Sequence, residues 1–151
     1  MRPARTLTGG GQVIDPMADF PGYALRRASA AAMAQLAKRL AALSLRPAEA
    51  SVLLVIHSNP GITQSEIGKL LAIARANMTP LVARLHRRRL LGRARIDGRS
   101  QGLRLTESGL ALVQHVRKTV EAYETALLEQ VPAAHRTGFV AGVRALWSSL
   151  S

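Results

Sequence analysis

Residues 62–105 read ITQSEIGKLLAIARANMTPLVARLHRRRLLGRARIDGRSQGLRL. In Thr63-Gln64-Ser65-Glu66 the Thr hydroxyl can accept from the N–H three residues on while Glu66 reaches back, a capping box worth roughly 1 kcal/mol. Ile67, Leu70 and Leu71 follow as the inner face of a short helix. A second helix is expected from about Arg75, with Met78, Leu81, Val82 and Leu85 on one face. At the helical period the other face collects Ala76, Thr79, Pro80, Ala83, Arg84 and Arg87. Pro80 has no N–H to give and disrupts helix interiors, so this helix is expected to start just upstream, with a bend or a loose first turn. After Leu90-Leu91, Arg93, Arg95 and Ile96 lead into Asp97-Gly98, a dipeptide suited to a tight hairpin turn, and Leu103, Arg104 and Leu105 alternate on the return. Leu103 and Leu105 are expected to point inward.

Two helices joined by a turn and followed by a hairpin outline a winged helix-turn-helix, and the charge fits its use. The 151 residues carry 21 Lys and Arg against nine Asp and Glu, a formal charge of +12. Between Arg75 and Arg104 stand nine arginines and one acid, Asp97, a balance of +8 within thirty residues. That concentration points to a polyanion partner, and Arg in preference to Lys suits bidentate contacts to phosphate and base edges. The second helix is therefore expected in the major groove of duplex DNA. Small residues near its start, Ala76, Thr79 and Pro80, let it sink against the bases. Arg75, Asn77, Arg84, Arg87 and Arg88 are candidates for base or phosphate contact, Arg93 and Arg95 for the hairpin's share. Arg99 is expected in a narrow minor groove, with Asp97 orienting a neighbouring arginine.

Outward from this stretch the chain is helical. Residues 1–19, with Gly9 to Gly11 in a row, are expected to form a flexible arm. Residues 20–45 carry Leu25, Ala28, Ala32, Leu36, Leu40 and Leu43 at steps of three and four, a helix about 30 Å long at about 1.5 Å per residue. Its length exceeds what a small reading unit needs, which points to a second chain. Pro47 and Glu49 suit the first turn of a buried helix containing Val52, Leu53, Val55 and Ile56 and ended by Asn59-Pro60-Gly61. Arg46 stands where a capping Ser or Thr is common, so that helix must be capped by water or by neighbours. Residues 46–105 form the expected DNA-binding domain. Residues 106–151 supply a long helix with Leu110, Val113, Val116, Val120, Leu127 and Leu128, a break at Pro132, and a last helix striped with Phe139, Val143, Leu146, Trp147 and Leu150. Leu25, Leu36, Leu127 and that stripe are the expected homodimer contacts. The fold class is thus mainly α with a small β-hairpin wing, flanked by N- and C-terminal dimerisation helices.

Composition narrows the rest. Apolar residues make up 48% and aromatics only 3%, so the core is built of Leu, Val, Ile and Ala. The absence of cysteine excludes disulfides and thiol redox sensing. No cofactor and no metal are expected, because His57, His86, His115 and His135 lack ligand spacing. No catalytic constellation, phosphate loop or nucleophile elbow is present, so an enzyme is not expected. The chain reads as soluble, cytoplasmic and without a membrane segment.

The series Thr63…Glu66-Ile67-Gly68…Leu70-Leu71, Met78-Thr79-Pro80-Leu81-Val82-Ala83-Arg84-Leu85, then Asp97-Gly98-Arg99-Ser100…Leu103-Arg104-Leu105-Thr106-Glu107-Ser108-Gly109 resembles the MarR family of bacterial transcriptional regulators. The resemblance spans roughly residues 23–150. It implies a triangular homodimer with two winged lobes on a pseudo-palindromic operator, repression as the usual mode, and Asp97 and Arg99 at the family's wing positions. It further implies a small anionic effector, an aromatic acid or phenol, in a crevice between the dimer helices and the winged lobe. The stretch Arg75-Ala76-Asn77-Met78-Thr79-Pro80 resembles the family's regulators of aromatic catabolism. Candidates for the effector are Arg26 or Arg27 for a carboxylate, Ser29, Met33 and His57. The sequence departs from the family at Arg89, where glycine is usual: a left-handed residue there costs about 1 kcal/mol, and otherwise the helix runs one turn longer. A non-sensing architectural DNA binder is the alternative function.

Overall fold

A computed structural model describes the backbone of residues 15–95 and 101–150. Six α-helices and one hairpin follow in the order α1 (Pro21–Leu40), α2 (Pro47–Ser58), α3 (Gln64–Leu70), α4 (Arg75–Arg87), β1 (Leu91–Arg95), β2 (Gln101–Leu105), α5 (Glu107–Glu129) and α6 (Arg136–Leu150). Short 3-10 turns at Ala41–Leu43 and Ala133–His135 follow α1 and precede α6. The chain divides into two compact units, Met1–Gln35 and Leu36–Ser151. No described helix is long and apolar enough to cross a membrane by itself.

In the first unit, Asp15 starts the described chain with a turn: its Oδ1 accepts from Met17 N at 3.0 Å and its Oδ2 from the Tyr23 hydroxyl at 2.9 Å. These bonds hold the Asp15 carboxyl below its usual pKa, the Met17 N–H being the larger cause. The remainder of the unit is the exposed, alanine-rich part of α1.

The second unit holds the core. Leu40, Val52, Leu53, Ile56, Ile67, Met78, Leu85, Val113 and Val116 are fully buried, and Leu81, Val82, Leu90, Leu91 and Leu103 surround them. α2 runs through the middle, which explains its lack of a polar face. Of the apolar series on α5, Val113 and Val116 are buried, together with Tyr123, while Leu110 is exposed. Leu36, expected at a dimer contact, is half-buried and packs against this core.

Local capping sets the helix ends. Thr63 Oγ1 accepts from Glu66 N, and Glu66 Oε2 accepts from Thr63 N at 2.8 Å and from its hydroxyl at 2.7 Å. These bonds, the hydroxyl's first, hold the Glu66 carboxyl below its usual pKa. α2 uses half of the same device: Arg46 N donates to Glu49 Oε2 at 2.7 Å, so the cap comes from the helix's own third residue. At their C-termini, the turn after α1, α3 and α4 end in left-handed residues that are not glycine: Ser44, Ala72 and Arg89, with φ of 53°, 51° and 57°. Each closes a Schellman pair, as in Arg89 N to His86 O and Leu90 N to Leu85 O. The left-handed option for Arg89 is the one the chain adopts, and α4 stops at Arg87.

β1 and β2 pair antiparallel with Leu91 opposite Leu105 and Arg95 opposite Gln101. A further pairing joins the segment before α3: Gly61 N donates to Leu103 O at 2.8 Å and Leu103 N to Ile62 O at 2.9 Å. Backbones approach so closely here that a Cβ on Gly102 would lie 2.0 Å from Gly61 O. Thr106 fastens the hairpin to the next helix. Its N donates to Leu90 O, its hydroxyl donates to Arg89 O at 2.7 Å, and the same oxygen accepts from Gly109 N at 3.1 Å as the cap of α5. A Cβ on Gly109 would lie 2.2 Å from Leu90 O, so the Thr-Glu-x-Gly sequence marks a backbone crossing.

Candidate nucleic-acid interface

α4 carries the candidate surface. Met78, Leu81, Val82 and Leu85 are buried, while Arg75, Ala76, Asn77, Thr79, Pro80 and Arg87 are exposed. As expected from Pro80, α4 starts just upstream, at Arg75, and the proline stands in its second turn. The proline forfeits the bond to the carbonyl four residues back, that of Ala76. Both residues lie on the exposed face, where water can satisfy that oxygen. The exposed face is thus small and nearly flat at Ala76, Thr79 and Pro80 and cationic at both ends.

Thr79 is held from two sides. Its hydroxyl donates to Arg75 O at 3.3 Å and accepts from Gln64 Nε2 at 3.2 Å. Gln64, on the first turn of α3, joins the candidate surface through this bond and was not among the residues expected there. A polar residue just after the capping Thr63 is the available signal, since the first turn of the supporting helix abuts the reading helix in this motif. Gln64, Thr79, Val82, Ala83, His86, Arg93, Gln101, Gly102 and Leu103 line a cavity of 310 Å³ where α4 meets the hairpin. A larger cavity of 850 Å³ lies where α3 meets α4, with Ser65, Lys69 and Arg75 among its polar lining.

The arginines divide by what they touch. Arg75, Arg87 and Arg93 are exposed, and Arg93 Nη1 donates to Gln101 Oε1 at 2.8 Å across the hairpin. Arg95 closes β1 opposite Gln101. Asp97 and Arg99 lie outside the described residues. Arg84 and Arg88, placed on the DNA face by sequence, are engaged within the protein. Arg84 Nε lies 2.6 Å from Glu49 Oε1, and Arg88 donates to Ser44 O at 2.7 Å and to Leu43 O at 3.2 Å.

The expected effector residues are described in separate units. Arg26 and Arg27 lie over the Tyr23 ring, at 5.1 and 5.6 Å from its centre, and Arg27 Nη1 also donates to the Tyr23 hydroxyl. Ser29 and Met33 are exposed on α1, and His57 is half-buried in the last turn of α2. Of the expected dimer residues, Leu25, Phe139, Val143, Leu146, Trp147 and Leu150 are exposed, while Leu127 is half-buried. Among the described residues no group of three acids or histidines is placed to hold a metal ion.

A sequence profile of the MarR family matches residues 43–100. No curated protein sequence matches the chain closely enough to count as a relative. Among solved structures the chain is similar to the transcriptional repressor CouR bound to p-coumaroyl-CoA, at 31% identity and a TM-score of 0.80, over 89% of this chain and 96% of that one. CouR bound to a 23-mer DNA duplex gives 31% and 0.81, over 90% and 99%. The PcaV transcriptional regulator from Streptomyces coelicolor gives 26% and 0.71, over 85% and 96%. With nearly all of CouR matched at that identity and the profile falling on the reading helices and wing, the chain belongs to the MarR family of winged helix-turn-helix transcriptional regulators.

Proposed function

We propose that this protein is a cytoplasmic, homodimeric repressor that reads a pseudo-palindromic duplex operator and leaves it when a small anionic aromatic ligand binds. The observation that carries the reading is the exposed face of α4. Ala76, Thr79 and Pro80 make a low surface that a major groove can accept, Gln64 fixes the Thr79 hydroxyl, and Arg75 and Arg87 flank it with charge. Asn77 adds an amide beside the same face. The wing supplies Arg93, Arg95 and Arg99, the last for a minor groove with Asp97 beside it. CouR, the similar repressor, is known bound both to a DNA duplex and to p-coumaroyl-CoA, which supports a DNA-bound state and an aromatic, anionic effector.

For that effector, Arg26 and Arg27 offer cations already stacked on an aromatic ring, with Ser29 and Met33 further along the exposed helix. His57 is a separate candidate contact. Dimerisation uses the apolar stripe of α6, whose Trp147 and Leu150 are 72% and 80% exposed, together with Leu25 and Leu127. Apolar surface of this extent on a terminal helix marks an assembly face.

Selection of duplexes from a random pool tests the reading. A two-fold symmetric consensus is expected, and Thr79→Ala alters the preferred bases; a pool that stays random overturns it in favour of an architectural binder. Aromatic carboxylates and their coenzyme A thioesters that raise the melting temperature are expected to release the selected duplex, because a ligand favouring the DNA-free form weakens DNA binding by the same coupling.

A further inference from the structure

Two arginines on the reading helix do not share the environment of the others, and their partners lie side by side in the fold. Glu49 is a buried carboxylate whose side chain is only 3% exposed. Its two oxygens have different partners: Oε2 accepts from Arg46 N and so caps α2, while Oε1 lies 2.6 Å from Arg84 Nε. Arg88, one turn further on at the C-cap of α4, reaches the carbonyls of Leu43 and Ser44. Those carbonyls belong to the end of the 3-10 turn, where left-handed Ser44 stops the chain and leaves terminal C=O groups that favour a cation. Arg84 and Arg88, four residues apart and so on one side of α4, therefore grip both ends of a single corner, residues 43–49.

We propose that Arg84 and Arg88 are positioning residues that clamp the C-terminal half of the reading helix to this corner, and that Glu49 is the anchor of the clamp rather than a simple helix cap. The proposal rests on the DNA-reading function argued above. Apolar packing alone lets a helix rotate or slide by fractions of a turn. An ion pair at Arg84 and the charge-assisted hydrogen bonds of Arg88, made to separate points, fix its pitch, and with it the bases that Thr79 and Ala76 face. The corner also carries any movement of residues 43–49 directly to α4. Charge placed toward DNA does something different: a phosphate contact releases counterions and shows in the salt dependence, whereas an internal clamp does not.

The test compares full-length wild type with Arg84→Gln, Arg88→Gln, Glu49→Gln and Arg87→Gln. Affinity for a selected duplex and for an unrelated duplex of equal length is measured over a salt series. Arg87→Gln is expected to reduce the steepness of the log–log salt dependence by about 0.9. Arg84→Gln and Arg88→Gln keep the wild-type slope and lose affinity for the selected duplex, by roughly five-fold or more. Glu49→Gln is decisive because the two accounts differ in sign. Removing an acid from a DNA-binding head tightens binding on charge alone, but loosening the clamp weakens discrimination between the two duplexes. A shallower slope for Arg84→Gln or Arg88→Gln, or tighter selective binding by Glu49→Gln, overturns the proposal. Thermal melting of Glu49→Gln, Arg84→Gln and the double variant without DNA tests the clamp separately. Losses that fail to add support it, and additive losses overturn it. If wild type binds neither duplex, the DNA-reading function fails while this cycle still decides whether the clamp exists.

Discussion

Arg89 adopts a backbone conformation that glycine takes without cost, with φ of 57°. It is kept there by the bonds that end α4 and by the Thr106 hydroxyl on its carbonyl. Arg89→Gly removes the steric penalty of the left-handed region and is expected to stabilise the protein by about 1 kcal/mol, read as a rise in melting temperature of about 2–4 °C. A fall would mean that the guanidinium contributes more than the backbone loses. Glu66 gives a pH-dependent case. Its folded pKa is depressed by the Thr63 hydroxyl and N–H, so its charge adds stability above the usual glutamate range and that contribution is lost as the pH falls through the folded value. Glu66→Gln is expected to melt lower than wild type at neutral pH, the gap closing in acid; a gap independent of pH contradicts the assignment. Both residues were legible in the sequence, because capping and left-handed turns are local. Glu49 was legible only as a first-turn acid. Its pairing with Arg84 joins distant parts of the chain, and no local pattern encodes it.

The elements were read from the sequence for the same local reason. Thr63 and Pro47 mark helix starts within a few residues, and the caps at Thr63 and Glu66 form as the pattern implies. Pro80 places the start of α4 at Arg75, and the carbonyl its missing N–H leaves unbonded, that of Ala76, lies on an open face. The pairing of Gly61 and Ile62 with β2 was missed: two residues with no alternating pattern are invisible to periodicity. That pairing makes a specific demand on β2. Gly102→Ala places a methyl group 2.0 Å from Gly61 O, so the hairpin must shift away from the segment before α3. A loss of about 1–3 kcal/mol is expected, with faster amide exchange at Leu103, whose N–H donates to Ile62 O. Wild-type stability and exchange would show that the strand is free to move.

At the scale of the molecule, the second unit accounts for the reading surface, and the stripe on α6 accounts for the expectation of a partner chain. Phe139, Val143 and Leu146 are 39–48% exposed along fifteen residues of helix. Val143→Asp is expected to convert a dimer to a monomer in sedimentation at micromolar concentration while leaving the helical signal intact. A wild type that already sediments as a monomer contradicts the dimeric reading. Amphipathic period exposed this stripe in the sequence. A second chain as its occupant was argued from the length of the first helix and from family resemblance, because periodicity shows that a face is apolar and says nothing of what covers it.

The central claim is that α4 and the wing read duplex sequence. Equilibrium binding of the full-length protein to its selected duplex and to a scrambled duplex, across a salt series, measures it most directly. The account predicts a preference of about 1,000-fold or more for the selected duplex, and a log affinity that falls linearly with log salt by about 0.9 for each phosphate neutralised. Equal affinity for the two duplexes at every salt concentration would contradict it.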